Sequence, residues 1–131
     1  MGSGTDLPSA VQKDLVEGLL QHATTLIFLA YVDSRPAGLA TCFLGFSTFA
    51  ARPLINIHDL HVLEEFQRNG IGRRLLEAVE SRARQLNCCK LTLEVQVNNR
   101  VARRLYQDFG FMGAVHEEDA GSALFREKKL E

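Results

Sequence analysis

Apolar positions recur along the chain with two periods, and the switches between them mark out the elements. From Ser9 to Ala23 they fall at Val11, Leu15, Val16, Leu19 and Leu20, a helical spacing opened by Ser9 and Gln12 as a capping box. The period then shortens. Thr25 to Val32 and Ala37 to Ser47 read as two strands joined by the turn Asp33-Ser34-Arg35-Pro36, a hairpin. A short loop ending at Pro53 leads into a third strand, Leu54 to Val62. Ile71, Leu75, Val79, Ala83 and Leu86 restore helical spacing over about four turns, ending near Asn87. From Lys90 to Val97 alternation is strict, with Leu91, Leu93, Val95 and Val97 on one side and Thr92, Glu94 and Gln96 on the other. A short helix follows from Asn99 to Phe109, with Val101, Ala102, Leu105 and Phe109 inward and Gly110 as its left-handed terminator. Two closing strands, Phe111 to His116 and Ala123 to Lys128, flank an acidic turn.

The third strand breaks its own rhythm. Ile55 and Ile57 lie on one parity, Leu60 and Val62 on the other, so strict alternation cannot bring all four to the core. One extra residue near His58-Asp59, a β-bulge, would restore them to one side and leave local backbone groups unpaired. A strand end buried on both faces is the other reading. Strand, helix and strand in succession predict a parallel pair with a right-handed crossover. The expected architecture is therefore α/β in the α+β sense: one domain over residues 1–131, with a mixed, mostly antiparallel twisted sheet, a central parallel βαβ unit and helices on both faces.

Composition narrows the partners. With 131 residues, 46% hydrophobic and 24% charged, the chain suits one globular core. A formal net charge of -1 lacks the basic surplus that nucleic-acid or anionic-membrane binding requires, so neither is expected. Three cysteines form no disulfide framework and no metal-binding spacing, which points to a reducing compartment and no metal. With no signal-peptide pattern and no apolar run long enough for a bilayer, a cytoplasmic location is expected. Met1 to Gly4 reads as a flexible start outside the fold.

The stretch Glu65 to Leu76, EFQRNGIGRRLL, sets two glycines and several free polar groups before the long helix. Gly70 and Gly72 bare the unpaired N–H groups and positive dipole end of that helix, while Gln67, Arg68, Arg73 and Arg74 add donors, which suits a phosphate or pyrophosphate. A plain glycine-containing βα turn with exposed arginines fits the same residues. A dinucleotide fingerprint would need a third glycine where Leu75 stands, and a P-loop would need Gly-Lys-Ser/Thr.

Gln67-Arg68-Asn69-Gly70-Ile71-Gly72 resembles the acetyl-CoA motif Gln/Arg-x-x-Gly-x-Gly/Ala of the GCN5-related N-acetyltransferases, and Asn99 to Phe111 resembles the second signature of that family, Asn-x-x-Ala-x-x-Leu-Tyr-x-x-x-Gly-Phe. The resemblance covers roughly residues 25 to 116, and the bulged strand belongs to it. It implies acetyl-CoA as cosubstrate, with no metal. The cofactor contacts it implies are Leu60, His61 and Val62 along the pantetheine arm; Gln67, Arg68, Asn69, Gly70, Ile71, Gly72 and Arg73 at the pyrophosphate; and Asn99 and Tyr106. Tyr106 matches the general acid that protonates the departing thiolate. His58 occupies the place of the base, with Asp59, His61 and a water relay through Glu94 as alternatives. The implied reaction is direct transfer of an acetyl group to a primary amine of a small molecule or peptide, without a covalent cysteine. Cys88 and Cys89 fall at the far end of the long helix, about 25 Å from its start. A catalytically weak acyl-CoA-binding or dimerisation module of the same fold is the alternative. Family members begin with a strand and two helices, whereas here one helix precedes Thr25. Either that first strand is missing or Thr5 to Leu7 is its remnant, and a homodimer covering the exposed edge is expected.

Overall fold

The computed structural model describes residues 11, 13–15, 17–18, 23–113 and 123–130. Of the front helix, the described residues are helical, with Val11 and Leu15 47% and 46% exposed. The proposed capping box, Val16, Leu19, Leu20 and the Thr5 to Leu7 segment lie outside the described residues.

Five strands form one mixed sheet in chain order: β1 (Thr25–Val32), β2 (Arg35–Ser47), β3 (Arg52–Val62), β4 (Lys90–Gln96) and β5 (Ala123–Lys129). Every neighbouring pair is antiparallel except β3 with β4, which is parallel and bridged by helix α1 (Ile71–Gln85). This is the predicted βαβ unit. A second helix, α2 (Arg100–Phe109), follows β4.

The hairpin turn is tighter than the sequence suggests. Asp33 and Ser34 alone make it, with φ of 51° and 68°, the left-handed pair that a two-residue hairpin loop requires. Arg35 and Pro36 already belong to β2. Pro36 is tolerated because the pairing slips beside it: Ala30 faces Gly38 and Tyr31 faces Pro36, which leaves Ala37 as an extra residue. Strand β3 likewise begins before the expected Leu54, because the Arg52 guanidinium ties its start to the carbonyls of Asn87 and Cys88 and the Cys89 amide donates to the Pro53 carbonyl at 2.8 Å.

The broken rhythm of β3 resolves as a bulge. Thr41 faces Asp59 while Cys42 faces Ile57, so His58 is the inserted residue. Ile55 and Ile57 are then buried in the core, and Leu60 and Val62 pack against it from the same side. That side also receives Leu26, Phe28 and Ala30 from β1, Leu91, Leu93 and Val95 from β4, and the buried stripe Ile71, Leu75, Leu76, Val79 and Ala83 of α1.

Both helices end in the same paired-carbonyl geometry. At α1, Asn87 (φ 62°) donates to Arg84 and Cys88 donates to Ala83; at α2, Gly110 (φ 109°) donates to Gln107 and Phe111 to Tyr106. The rings of Tyr106 and Phe111 meet edge-on at 5.8 Å across the second of these ends. Helix α2 lies beside α1 on the same face of the sheet, with the Arg73 guanidinium 5.3 Å from the Phe109 ring centroid. Its inward face is Ala102, Leu105, Tyr106 and Phe109. Val101, expected inward, is 84% exposed, because Tyr106 and Phe109 centre the buried face a residue further round. Of the strand expected from Phe111 to His116, the described part shows an isolated bridge between Met112 and Glu127; residues 114–116 lie outside the described residues.

Candidate active site

Strands β3 and β4 pair over just Ile55–Leu91, Asn56–Thr92 and Ile57–Leu93. Beyond the bulge at His58 they part, and α2 closes the gap from the helix side. The result is a cavity of about 310 Å³ whose walls include His58, Asp59, Leu60, Glu94, Asn99 and Tyr106. Residues separated by more than a third of the chain, each singled out from sequence, meet there.

The backbone of β3 offers free groups to this gap. The Leu63 amide donates to the Ala37 carbonyl of the β2 side at 2.8 Å, so by alternation His61 also faces β2, while Leu60 and Val62 turn their N–H and C=O toward the gap. Of the three expected backbone contacts, Leu60 and Val62 are therefore placed for a ligand and His61 is not. The Val62 carbonyl is already engaged, accepting from the Gln67 side-chain amide (Nε2) at 3.1 Å.

Tyr106 enters from the helix side, 8% exposed. Its hydroxyl has no hydrogen-bond partner among the described residues. Burial, reinforced by the negative charge of Asp59, pushes its pKa from the usual value near 10 up to about 12. The phenol therefore keeps its proton throughout the neutral range. His58, lifted out by the bulge, is exposed and packs edge-on against Phe43 with ring centroids 5.4 Å apart. Asp59 and Glu94 are unpaired with any cation among the described residues. The Asn99 side-chain oxygen caps α2 by accepting from the Ala102 amide at 3.2 Å, so its structural duty is assigned whatever else it touches.

At the glycine turn, α1 starts behind Gly70, which has φ 76° and no side-chain cap. The first bond into the helix is Arg74 N–H to the Gly70 carbonyl, at 3.1 Å, so the amides of Ile71, Gly72 and Arg73 precede the ladder. Arg68, itself at φ 67°, and Asn69 are exposed beside them. Arg73 is drawn along the helix toward Glu77 (3.6 Å) and Phe109 and away from the turn. The two glycines differ in kind. A Cβ at Gly70 would meet nothing within 4 Å, whereas one at Gly72 would sit 3.0 Å from Leu105 Cδ2 and 3.8 Å from Leu60 Cδ2. Gly72 lets α1 and α2 approach each other; Gly70 serves the backbone turn.

Two contributions were not legible beforehand. Arg103 anchors the β4–α2 connection by donating to the Val97 carbonyl at 2.7 Å, and nothing in its spacing distinguishes it from the neighbouring arginines. The second is the electrostatic pairing of Asp59 with Tyr106, which needs the gap to bring the two together. Cys42 is wholly buried, its thiol raised from about 9 to about 12 by that burial, and Cys88 is buried at the far end of α1.

The family model described as "Acetyltransferase (GNAT) family" matches residues 4–111. An uncharacterized N-acetyltransferase of Bacillus subtilis, YhfO, is 30% identical over 102 residues, 78% of this chain and 65% of the relative. An N-alpha-acetyltransferase of Saccharolobus solfataricus is 34% identical over 103 residues, 73% of this chain and 61% of the relative. This chain thus spans about two thirds of the length of the curated relatives it matches. Among solved structures, a GNAT family acetyltransferase from Elizabethkingia anophelis with acetyl-CoA bound superposes with a TM-score of 0.70 at 21% identity, covering 99% of this chain and 95% of that one.

Proposed function

This chain belongs to the acetyltransferase (GNAT) family, and we propose that it moves an acetyl group from acetyl-CoA to a primary amine of a small molecule or peptide by direct attack. The observation that carries the reading is the buried Tyr106 side chain, its hydroxyl without a partner among the described residues, in the wall of a gap edged by the outward-turned backbone of Leu60, one strand end away from the uncapped start of α1.

In this reading the pyrophosphate of the cosubstrate lies on the amides of Ile71, Gly72 and Arg73, with Gln67, Arg68 and Asn69 around it, because a helix start with unsatisfied N–H groups favours an anion. The Leu60 amide donates to the thioester oxygen as charge develops on it. The amine nitrogen bonds to the carbonyl carbon, the carbon–sulfur bond breaks, and the thiolate takes the Tyr106 proton. A phenol whose pKa stands near 12 is still protonated when that moment arrives. His58 receives the proton lost by the amine; a water held by Glu94 or Asp59 is the alternative carrier. The buried, high-pKa Cys42 supports direct attack over a covalent acyl-cysteine.

The test is incubation with labelled acetyl-CoA and a panel of polyamines, amino acids, aminoglycosides and peptide N-termini. The expected result is an acetylated amine, with Tyr106→Phe lowering kcat while acetyl-CoA affinity holds. Binding of CoA with no product from any acceptor would overturn this reading in favour of a binding module.

A further inference from the structure

The face of the sheet turned away from α1 and α2 carries its own pattern. Register fixes its membership: Ile27 faces Thr41, which faces Asp59, and Leu29 faces Leu39, which faces His61. Glu94 shares this face with Thr92, the partner of Asn56. Both carboxylates at the gap thus open onto it. From the gap toward β1 the side chains become apolar: Leu39, then Ile27, Leu29 and Tyr31, which are 42%, 56% and 58% exposed. Strand β1 contains neither a charge nor a proline from Thr25 to Val32.

We infer that the acceptor is a monoamine with an apolar body, its ammonium at the Asp59 and Glu94 end of the gap and its body laid across Leu39, Ile27 and Leu29. The inference rests on the acetyl-transfer reading and adds the substrate class to it. Three observations carry it together. Two carboxylates, Asp59 half-buried and Glu94 exposed, open onto the gap without a cation partner among the described residues and offer an ammonium charge-assisted hydrogen bonds. The Tyr106 side chain, nine-tenths buried and with a hydroxyl that has no hydrogen-bond partner among the described residues, lines the same cavity and marks it as built for a ligand. Among the described residues a second ammonium meets no free acid on this face, because the side chains beyond the gap toward β1 carry no carboxylate and Glu127, on the β5 side, is engaged by Lys90 at 3.1 Å. Two inter-strand steps separate β3 from β1, about 10 Å, roughly the length of a hexyl or phenylethyl chain.

The experiment compares kcat/KM of the full chain for methylamine, hexylamine, 2-phenylethylamine, spermidine and a short peptide with a free N-terminus, using wild type, Leu29→Asp and Leu29→Ala. Leu29 is exposed, so neither change threatens folding. The expected result is preference for hexylamine and 2-phenylethylamine. Leu29→Asp should lower kcat/KM for both about tenfold through KM, with methylamine and the KM for acetyl-CoA unchanged and Leu29→Ala intermediate. Preference for spermidine or the peptide overturns this inference alone, as does a Leu29→Asp variant whose amine preference is unchanged while sedimentation shows a dimer becoming a monomer. No product from any acceptor overturns the transfer reading and this inference with it.

Discussion

The two glycines of the Gly70-Ile71-Gly72 turn make a quantitative prediction, because one motif conceals two physical duties. Substituting Gly72 by Ala places a Cβ 3.0 Å from Leu105 Cδ2, about 0.5 Å inside the best carbon–carbon separation. Leu105 must yield between the two helices, an overpacking cost of about 1–3 kcal/mol, set against a helix-propensity gain of at most about 1 kcal/mol. Gly70→Ala meets no neighbour but must hold φ 76°, costing about 1–2 kcal/mol, less about 0.5–1 kcal/mol from a stiffer unfolded chain. Each single variant is thus expected to lose roughly 1 kcal/mol, which alone cannot separate the causes. Leu105→Ala does separate them. Removing Cδ2 frees the space, so Gly72→Ala should become neutral or stabilising in that background, a coupling of about 1–2 kcal/mol, while Gly70→Ala should stay additive with Leu105→Ala. Urea unfolding at unchanged m-value reads both cycles. A coupling below about 0.5 kcal/mol between positions 72 and 105 would refute the packing role. An acetyl-CoA affinity lost in Gly72→Ala and not restored by Leu105→Ala would return Gly72 to the ligand.

Further outcomes follow from the charged and buried groups. Tyr106 and Cys42 both titrate above their ordinary values in the fold, so the unfolded chain ionises first; stability is intact below about pH 9 and falls as pH rises toward 12. Cys42→Ala should lower stability at neutral pH through the cavity it leaves, yet flatten the alkaline slope of a urea-midpoint series. Glu80 is desolvated at α1, which raises its pKa, but the Lys128 and Arg84 contacts outweigh that and hold it below the usual value. Its contribution is therefore present above the unfolded pKa near 4.5 and is lost as pH falls further. Glu80→Gln should cost about 1–2 kcal/mol at pH 7, because Lys128, 2.6 Å away and 4.1 Å from the Phe109 ring centroid, loses its partner, and the deficit should shrink in acid. His58→Ala should flatten the acid limb of the pH–rate profile if that imidazole is the base; an unchanged limb would assign proton removal to Asp59 or Glu94.

How much of this was legible in the sequence depends on whether a duty is local. The parity slip at Ile55, Ile57, Leu60 and Val62 can be read because alternation is a rule within one strand, and the structure resolves it into the bulge at His58. The end of α2 is equally local: Gly110 and Phe111 complete a pattern written in consecutive residues. The hairpin turn is shorter than its sequence indicates because Asp33 and Ser34 adopt left-handed backbone without the glycine that normally signals it, and because Pro36 survives in a strand at a slip visible only from the neighbouring strand's register. The outward turn of Val101 is not local either, since the face of a short amphipathic helix is decided by what it packs on, and here that face is centred on Tyr106 and Phe109.

The site divides along the same line. That Gln67 to Gly72 and Asn99 to Phe111 both serve one place could be inferred from motif and order, but the gap itself exists because a bulge bends β3 away from β4 after three paired residues. The bend does three things at once: it frees the Leu60 backbone, admits Tyr106 from the helix side, and brings Asp59 and Glu94 to the opposite opening. A single inserted residue thereby makes the sheet permeable, with the uncapped helix start on one face and an acidic mouth leading to uncovered apolar side chains on the other. Deleting His58 should test that dependence directly. Register continuity would then drive either Leu60 and Val62 or Ile55 and Ile57 out of the core, and the loss of two core-packed aliphatic side chains, up to about 3–6 kcal/mol, should remove a large share of the roughly 5–15 kcal/mol that keeps an ordinary domain folded. A deletion variant that folds with near-wild-type stability would mean that the bulge is incidental to the packing of β3 and that the gap has another cause.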